Sequence, residues 1–195
     1  MADALMTEVE AVNIILGAIG EAPVNNLSGT LPVDVTVAVN TLYEVRRSVQ
    51  ETGWNFNTEY GVQLSLDGSN NIQLGNNVLR VELTYPTSSI DVVQRGTRLY
   101  DKLNHTYVFQ AAPKLNIVYF LAWDELPQQA RSYIALSAAR KFQARNVGSP
   151  ELDGYTARDE AIAFAALKSA DGDSANHNIF DSYDMNRLYR YRRRY

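Results

Sequence analysis

The sequence predicts an α+β protein, a helical bundle core with an inserted small antiparallel β subdomain and an extended C-terminal tail. Apolar residues recur three and four apart before residue 57 and again after residue 124, which is typical of amphipathic helices. Between these regions apolar and polar residues alternate, as they do in half-buried strands. The predicted parts are residues 1–57 (N-terminal helices), 58–123 (β subdomain), 124–170 (C-terminal helices) and 171–195 (basic, aromatic docking tail).

The first helix is predicted from a face of aliphatic residues at helical spacing: Val9, Val12, Ile15, Leu16 and Ile19. Thr7 and Glu10 have the spacing of a capping box just before this face. Gly20 suits the left-handed position that follows a helix, and Pro23 prevents the helix from continuing. Gly20 and Pro23 are therefore expected to have structural roles.

A longer helix is predicted over residues 33–52. It has a narrow apolar stripe suited to helix packing, formed by Val35, Ala38, Leu42, Val45 and Val49. Its valines are poor helix formers, so tertiary packing must offset their low propensity. Arg46, Arg47 and Glu51 are expected to face solvent or a neighbouring subunit.

Two aromatic residues, Trp54 and Phe56, lie in the connection that follows Gly53. Gly53 closes the second helix by the same left-handed geometry as Gly20. Rings of this size most often anchor a loop in the core, although they can also stack on a sugar or a base. We expect Trp54 and Phe56 to form a wedge that fixes the junction between the bundle and the β subdomain.

Six short strands are predicted from the alternating pattern: residues 62–66, 79–83, 90–93, 98–100, 107–109 and 115–120. The segments between them are rich in the turn formers Asn, Ser and Gly. The asparagine-rich loops are expected to be mobile, or to be shaped by a partner.

Two more helices are predicted after the β part, over residues 127–146 and 150–170. One face of the first consists of Ile134, Ala135, Ala138 and Phe142. Gly148 ends that helix, and Ser149 can cap the next. The second has a small-residue face formed by Tyr155, Ile162, Ala165, Ala166 and Ala170, and residues 171–176 are expected to break it.

The charge of the chain is distributed unevenly. The net charge is −4, but the last nine residues hold five arginines and no acid, which leaves −9 on residues 1–186. An acidic body argues against a nucleic-acid-binding surface there. No apolar run approaches the ~20 residues that span a bilayer, and no signal peptide is recognisable. No membrane association is expected.

No residue pattern predicts catalysis, a metal ion or a cofactor. His105 and His177 lie in no catalytic motif and are expected to be surface or loop residues. Carboxylates that could be posed as a glycosidase dyad occur at two places: Glu59 with Asp67, and Asp124 with Glu125. An acidic surface offers many such pairs by chance. Residues 171–173 open like a calcium loop, but the later ligand positions do not fit.

The C-terminal segment is the most unusual in composition: Arg187, Tyr189, Arg190, Tyr191, Arg192, Arg193, Arg194 and Tyr195. It could bind nucleic acid through phosphates and stacking, or act as a disordered solubilising end. A third possibility is docking into an acidic groove of a protein partner, since Arg and Tyr are typical interface anchors. The acidic body and the tyrosines favour docking.

Two segments in order along the chain point to a known family. The first, residues 11–24, has the pattern A-V-N-x-I-L-x-x-I-G-E-x-P-V, and the second, residues 53–57, has the pattern G-W-x-F-N. Together they resemble the tail tubular protein A family, the adaptor rings of short-tailed, T7-like bacteriophages. Residues 124–127 and 148–151 look like the D-E-x-P and G-x-P-E segments of that family.

The resemblance implies a ring, expected to be dodecameric, in the virion tail next to the portal. Such a ring joins the portal to the tail nozzle (tail tubular protein B) and carries viral DNA onward without sequence-specific binding. It would be assembled in the cytoplasm of the bacterial host. No catalytic residues and no cofactor come with the resemblance.

On this basis we expect the C-terminal segment to grip the portal. We expect the loops with Asn70, Asn71, Asn76 and Asn77 to face the nozzle. Two functions of other classes stay open: a tail-associated hydrolase of cell-wall glycans, and a DNA-binding tail factor.

Overall fold

The computed structural model describes residues 5–85 and 89–174. Its helices are α1 (Glu8–Gly17), α2 (Val33–Glu51), α3 (Gln128–Asn146) and α4 (Pro150–Ser174). Its strands are β1 (Thr58–Val62), β2 (Val78–Leu83), β3 (Val92–Arg95), β4 (Arg98–Asp101) and β5 (Leu115–Tyr119). The predicted α+β class is confirmed. No helix within the described ranges is long and apolar enough to cross a membrane.

The helical bundle is centred on α3, which packs against α1, α2 and α4. All five residues of the predicted α2 stripe are buried, as are Ile134, Ala135, Ala138 and Phe142 of α3. On α1 the fully buried residues are Ala11, Val12, Ile15 and Leu16, whereas Val9 and Ile19 are half-buried. Periodicity therefore located the packing faces of three of the four helices.

Both ends of α1 have the predicted caps. The Thr7 hydroxyl accepts a hydrogen bond from the Glu10 N–H (3.2 Å), and the Glu10 carboxylate accepts one from the Thr7 N–H (2.7 Å). These bonds to Thr7 lower the pKa of Glu10. At the other end Gly20 has φ +81°, and the Gly20 and Glu21 N–H groups bond back to the carbonyls of Gly17 and Leu16. This is the Schellman pattern that a left-handed glycine permits.

An ion-pair cluster links the exposed sides of α2 and α3. The Glu44 carboxylate accepts hydrogen bonds from Arg145 and Lys141, each at 2.8 Å. These bonds lower the pKa of Glu44 to about 2, and the bond from Arg145 has the largest effect. The cluster adds specificity to a helix pair whose stability comes mainly from the apolar stripe.

The β subdomain has two antiparallel sheets and a core of its own. Strand β5 lies between β1 and β2 in the first sheet, and β3 pairs with β4 as a hairpin. The core contains Ile72, Leu99, Leu115 and Ile117, all fully buried. Because this cluster is separate from that of the bundle, the two parts meet through a narrow junction.

Two of the six predicted strands are wrong in this region. The first strand lies at Thr58–Val62 instead of residues 62–66, where only Leu66 makes an isolated bridge. Residues 107–109 form no strand, because Phe109 inserts into the β core and its N–H donates to the Asn70 carbonyl. Alternation in these short segments reflects single anchoring side chains and not a ladder.

Two predictions about α4 are also wrong. Tyr155, Ile162, Ala165 and Ala166, the predicted packing face, are exposed, and Ala170 is only half-buried. The helix instead buries Ala163 and Leu167. It also continues through the predicted break as far as Ser174, and its last turn contacts the junction, where the Asp171 carboxylate accepts a hydrogen bond from the Asn55 N–H (2.8 Å). The predicted C-terminal tail therefore begins with helix at residues 171–174.

Candidate functional site

The junction between the bundle and the β subdomain begins at Gly53, which has φ +81°. A side chain there would meet the Arg80 guanidinium at 2.7 Å and the Val118 side chain at 3.2 Å. Both the left-handed backbone and this close approach require glycine. The first residue of the second sequence motif therefore lets β2 and β5 approach the end of α2.

Trp54 lies inside the bundle and is 8% exposed. Its indole N–H donates to the Val49 carbonyl (2.8 Å). Its ring stacks on Phe56 (centroids 6.4 Å apart) and meets Phe164 of α4 edge-on (6.2 Å). The aromatic pair thus packs the connection after α2 against α4, and little of the indole face is left for a ligand.

Asn57 joins the two parts of the molecule by hydrogen bonds. Its side-chain amide donates to the carbonyls of Gln50 (2.9 Å) and Tyr119 (2.8 Å), and its side-chain oxygen accepts from the Trp54 N–H (2.8 Å). Gln50, fully buried, exchanges two further bonds with the backbone of Leu121. These amides satisfy backbone groups that the junction would otherwise bury without partners.

Arg46 is only 6% exposed within the single chain, which corrects the expectation that it faces solvent or a neighbouring subunit. Its guanidinium donates to the Leu121 carbonyl (2.7 Å) and lies 4.6 Å from the centre of the Phe120 ring. Burial lowers the pKa of Arg46, and the carboxylate of Glu8 at 3.9 Å opposes that shift. The side chain thus fastens the segment after β5 to α1 and α2. Arg47 and Glu51 are exposed, as expected.

In the first sequence motif, the Asn13 side chain also binds distant backbone groups. The Asn13 side chain donates to the Val24 carbonyl (2.9 Å) and accepts from the Val24 N–H (2.8 Å). The chain after Gly20 is therefore folded back along α1, and Pro23 lies exposed within that turn. Both motifs consist of residues that shape the backbone.

The asparagine loops of the β subdomain are exposed, with the exception of half-buried Asn71. The carboxylate of Asp67 accepts hydrogen bonds from the N–H groups of Ser69 (2.8 Å) and Asn71 (2.9 Å). Bonds to this loop lower the pKa of Asp67, that from Asn71 most. Asn70 has φ +59°, and Asn77 accepts a bond from the Phe120 N–H at its carbonyl. These contacts give both loops a defined backbone without a partner.

One exposed side of α4 has five residues at three- and four-residue spacing, of which three are large and apolar, one is alanine and one is a carboxylate. We call this set the α4 stripe: Leu152, Tyr155, Asp159, Ile162 and Ala166. Tyr155 is 76% exposed and Ile162 60%. A different side of α4 is held to α3 by Arg140, which donates to Asp153 (2.7 Å) and Glu160 (2.9 Å). The stripe is therefore presented outward by a helix whose rotation is set.

Asp67, Glu125 and His105 have ordinary environments. Asp67 is engaged in its own loop, and Glu125 accepts from the Ala122 N–H (2.7 Å). His105 lies in an exposed turn with φ +53°. Within residues 5–85 and 89–174, no three acidic or histidine side chains are grouped so that they could hold a metal ion.

An open cleft of about 620 Å³ lies beside the second motif, between α2, α3 and α4. Its lining includes three aromatic residues, Trp54, Tyr133 and Phe164, and two cations, Lys141 and Lys168. Lys168 lies over the Phe164 ring, and Lys141 is paired with Glu44. The cations are thus already engaged by groups of this chain.

His177 and the predicted portal-binding residues lie outside the described residues. Those residues are Arg187, Tyr189, Arg190, Tyr191, Arg192, Arg193, Arg194 and Tyr195. Their expected role continues as a proposal below.

Comparison with known proteins identifies one family. The model of the family described as tail tubular protein matches residues 9–177, a range that includes both sequence motifs. Tail tubular protein A of Klebsiella phage KP34 is 32% identical over 144 residues, which cover 73% of this chain and 75% of that protein.

Proposed function

Because the chain belongs to the tail tubular protein family, whose members are structural components of bacteriophage tails, we propose that it forms the adaptor ring between portal and tail nozzle. The ring is dodecameric and continues the channel through which viral DNA leaves. It occupies the portal-proximal end of the virion tail and is assembled in the cytoplasm of the host.

The observation that carries this proposal is the α4 stripe. Large apolar side chains that are exposed together along one side of a helix, as Leu152, Tyr155 and Ile162 are, are typical of a protein contact surface. A closed ring needs one surface of each subunit to contact a different surface of the next. The α4 stripe supplies the apolar half of such a contact.

The charge of the body suits a channel. The net charge is −9 for residues 1–186 and −4 for the whole chain, because the last nine residues hold five arginines. An acidic wall repels DNA phosphates, so DNA slides past without being held. The basic C-terminal segment is the part suited to an acidic surface of the portal.

Deletion of residues 187–195 is expected to leave a folded protein that no longer joins portal-bearing heads. The reason is that the deletion removes five arginines and three tyrosines, the residue types that anchor protein contacts. Electron microscopy of heads incubated with the intact or shortened protein would measure joining, and class averages would count the subunits. A matched variant with the five arginines changed to lysine separates charge from guanidinium geometry. Normal joining by the shortened protein would contradict the portal role.

A second experiment tests the nozzle-facing loops. The chain has no cysteine, so Asn70→Cys or Asn76→Cys introduces a unique cross-linking site. Both residues are exposed on ordered loops, so the cysteines would be accessible, and we expect cross-links in assembled tails to reach the nozzle protein. Arg47→Cys on α2 is the control for random collision. If the cysteines introduced at these two loop positions reacted only with the portal, this orientation would be wrong.

A further inference from the structure

Two arginines face each other at the tip of the β3–β4 hairpin. Arg95 and Arg98 are directly paired in the ladder, on either side of a two-residue turn in which Gly96 has φ +61°. The turn is fixed to the β core, because the Leu74 N–H donates to the Thr97 carbonyl and the Leu99 N–H donates to the Ile72 carbonyl. Both arginines are exposed. The tip is thus a rigid support for two positive charges.

Each guanidinium lies over a tyrosine ring. Arg95 is 3.6 Å from the centre of the Tyr100 ring, and Arg98 is 4.4 Å from that of Tyr107. The two rings contact each other edge-on at 4.8 Å. Stacking covers the flat face of a guanidinium and restricts its motion, while its N–H edge stays available for an anion. We call this arrangement the arginine clasp.

The clasp has no anionic partner within residues 5–85 and 89–174, where neither guanidinium makes a salt bridge or donates a hydrogen bond and each contacts a tyrosine ring instead. Some other cations of the chain are paired with carboxylates: Lys102 with Asp91, and Arg140 with Asp153 and Glu160. Like charges directly opposite in a ladder are destabilising. The hairpin therefore bears an unfavourable charge pair that an external anion would relieve.

The α4 stripe contains an exposed carboxylate without a cation partner in the described part of the chain. Asp159 lies within it, between Tyr155 and Ile162, is exposed, and has no cation partner among the described residues. Its neighbour Arg158 does not face it, because adjacent residues point to different sides of a helix. Burying this carboxylate in a subunit contact is costly unless the neighbouring copy supplies a cation.

We infer that the arginine clasp binds Asp159 of the α4 stripe on a neighbouring copy of the chain. This inference rests on the proposed ring. A carboxylate matches the fork of guanidinium donors, and two stacked guanidiniums can hold it from both sides. Nucleic acid is the weaker match, because tight phosphate binding needs more cations than the two at this tip and the surrounding body is acidic.

The single substitution Arg95→Glu separates a binding role from a structural one. It places a carboxylate opposite Arg98 and so replaces repulsion by a cross-strand ion pair. The monomer should unfold at the same or a higher urea concentration than the wild type. Self-association of the variant should weaken at least about tenfold. It would be measured by sedimentation of the purified protein, and by its assembly on portal-bearing heads. Arg47→Glu, the same charge change at an exposed arginine of α2, is the control and should assemble normally.

A charge exchange tests the partner. Arg95→Glu with Arg98→Glu should abolish assembly, as should Asp159→Arg, and the triple variant should recover it. Normal assembly of the double arginine variant would overturn the inference. So would a triple variant that does not recover assembly. An Arg47→Glu variant whose assembly is weakened as much as that of Arg95→Glu would overturn it too. Normal assembly with loss of bound duplex DNA would assign the arginines to phosphate and also overturn it. If the wild type formed no ring, alone or on portal-bearing heads, the proposed function itself would be contradicted.

Discussion

Replacement of Ile162 by glutamate is expected to weaken ring assembly strongly while the monomer stays folded. Ile162 is 60% exposed in the single chain, so the bundle itself has little need of an apolar residue there. In the proposed ring the same position is buried against the next copy, where an unpaired carboxylate costs several kcal/mol. The concentration at which rings form should rise at least about 100-fold. Sedimentation velocity and electron microscopy would measure this.

The matched control is Ala161→Glu, one position away on the same helix. Ala161 is also exposed but lies off the α4 stripe. It adds the same charge to the same helix, so any effect of net charge appears in both variants. Normal rings formed by Ile162→Glu would rule out the α4 stripe as the subunit contact.

Replacement of Trp54 by alanine is expected to lower the free energy of unfolding by about 3–5 kcal/mol. The variant loses the contacts of the indole with Phe56 and Phe164, and it leaves the Val49 carbonyl without its donor. Most small domains have about 5–15 kcal/mol of stability in total, so this loss is a large fraction. Urea unfolding followed by circular dichroism would measure it.

The variant Trp54→Phe separates the contribution of the aromatic contacts from that of the hydrogen bond to Val49. It keeps an aromatic ring against Phe164 and removes the N–H that donates to Val49, so the expected loss is about 1–2 kcal/mol. If Trp54→Ala were as stable as the wild type, the indole would not be a core anchor. Stacking on a sugar or a base would then again explain its presence in the motif.

Features that depend on a few neighbouring residues were predicted well. The capping box at Thr7 and Glu10 and the left-handed Gly20 were identified from spacing alone. The buried stripe of α2 and the buried face of α3 followed from periodicity. Such features are local, because a cap or a helix face is specified within one or two turns.

Features that depend on distant residues were missed. Arg46 and Gln50 both bond to Leu121, more than 70 positions away in the chain. No property of α2 indicates where that backbone lies, so a buried arginine looked like a solvated one. The arginine clasp was missed too, although two arginines on either side of a Gly-Thr turn are a visible signal. Their stacking on Tyr100 and Tyr107 became apparent only in the structure.

The sequence by itself determined the class of the fold, the helix caps, three of the four packing faces and the two motifs that mark the family. Only the tertiary structure decided which side of α4 is buried. That helix is rich in alanine, so more than one side could pack, and long-range contacts of Phe164 with Trp54 and Tyr133 select one. The selection leaves Tyr155 and Ile162 exposed for a partner. Local periodicity specifies that a face exists, whereas its partner depends on where the rest of the chain folds.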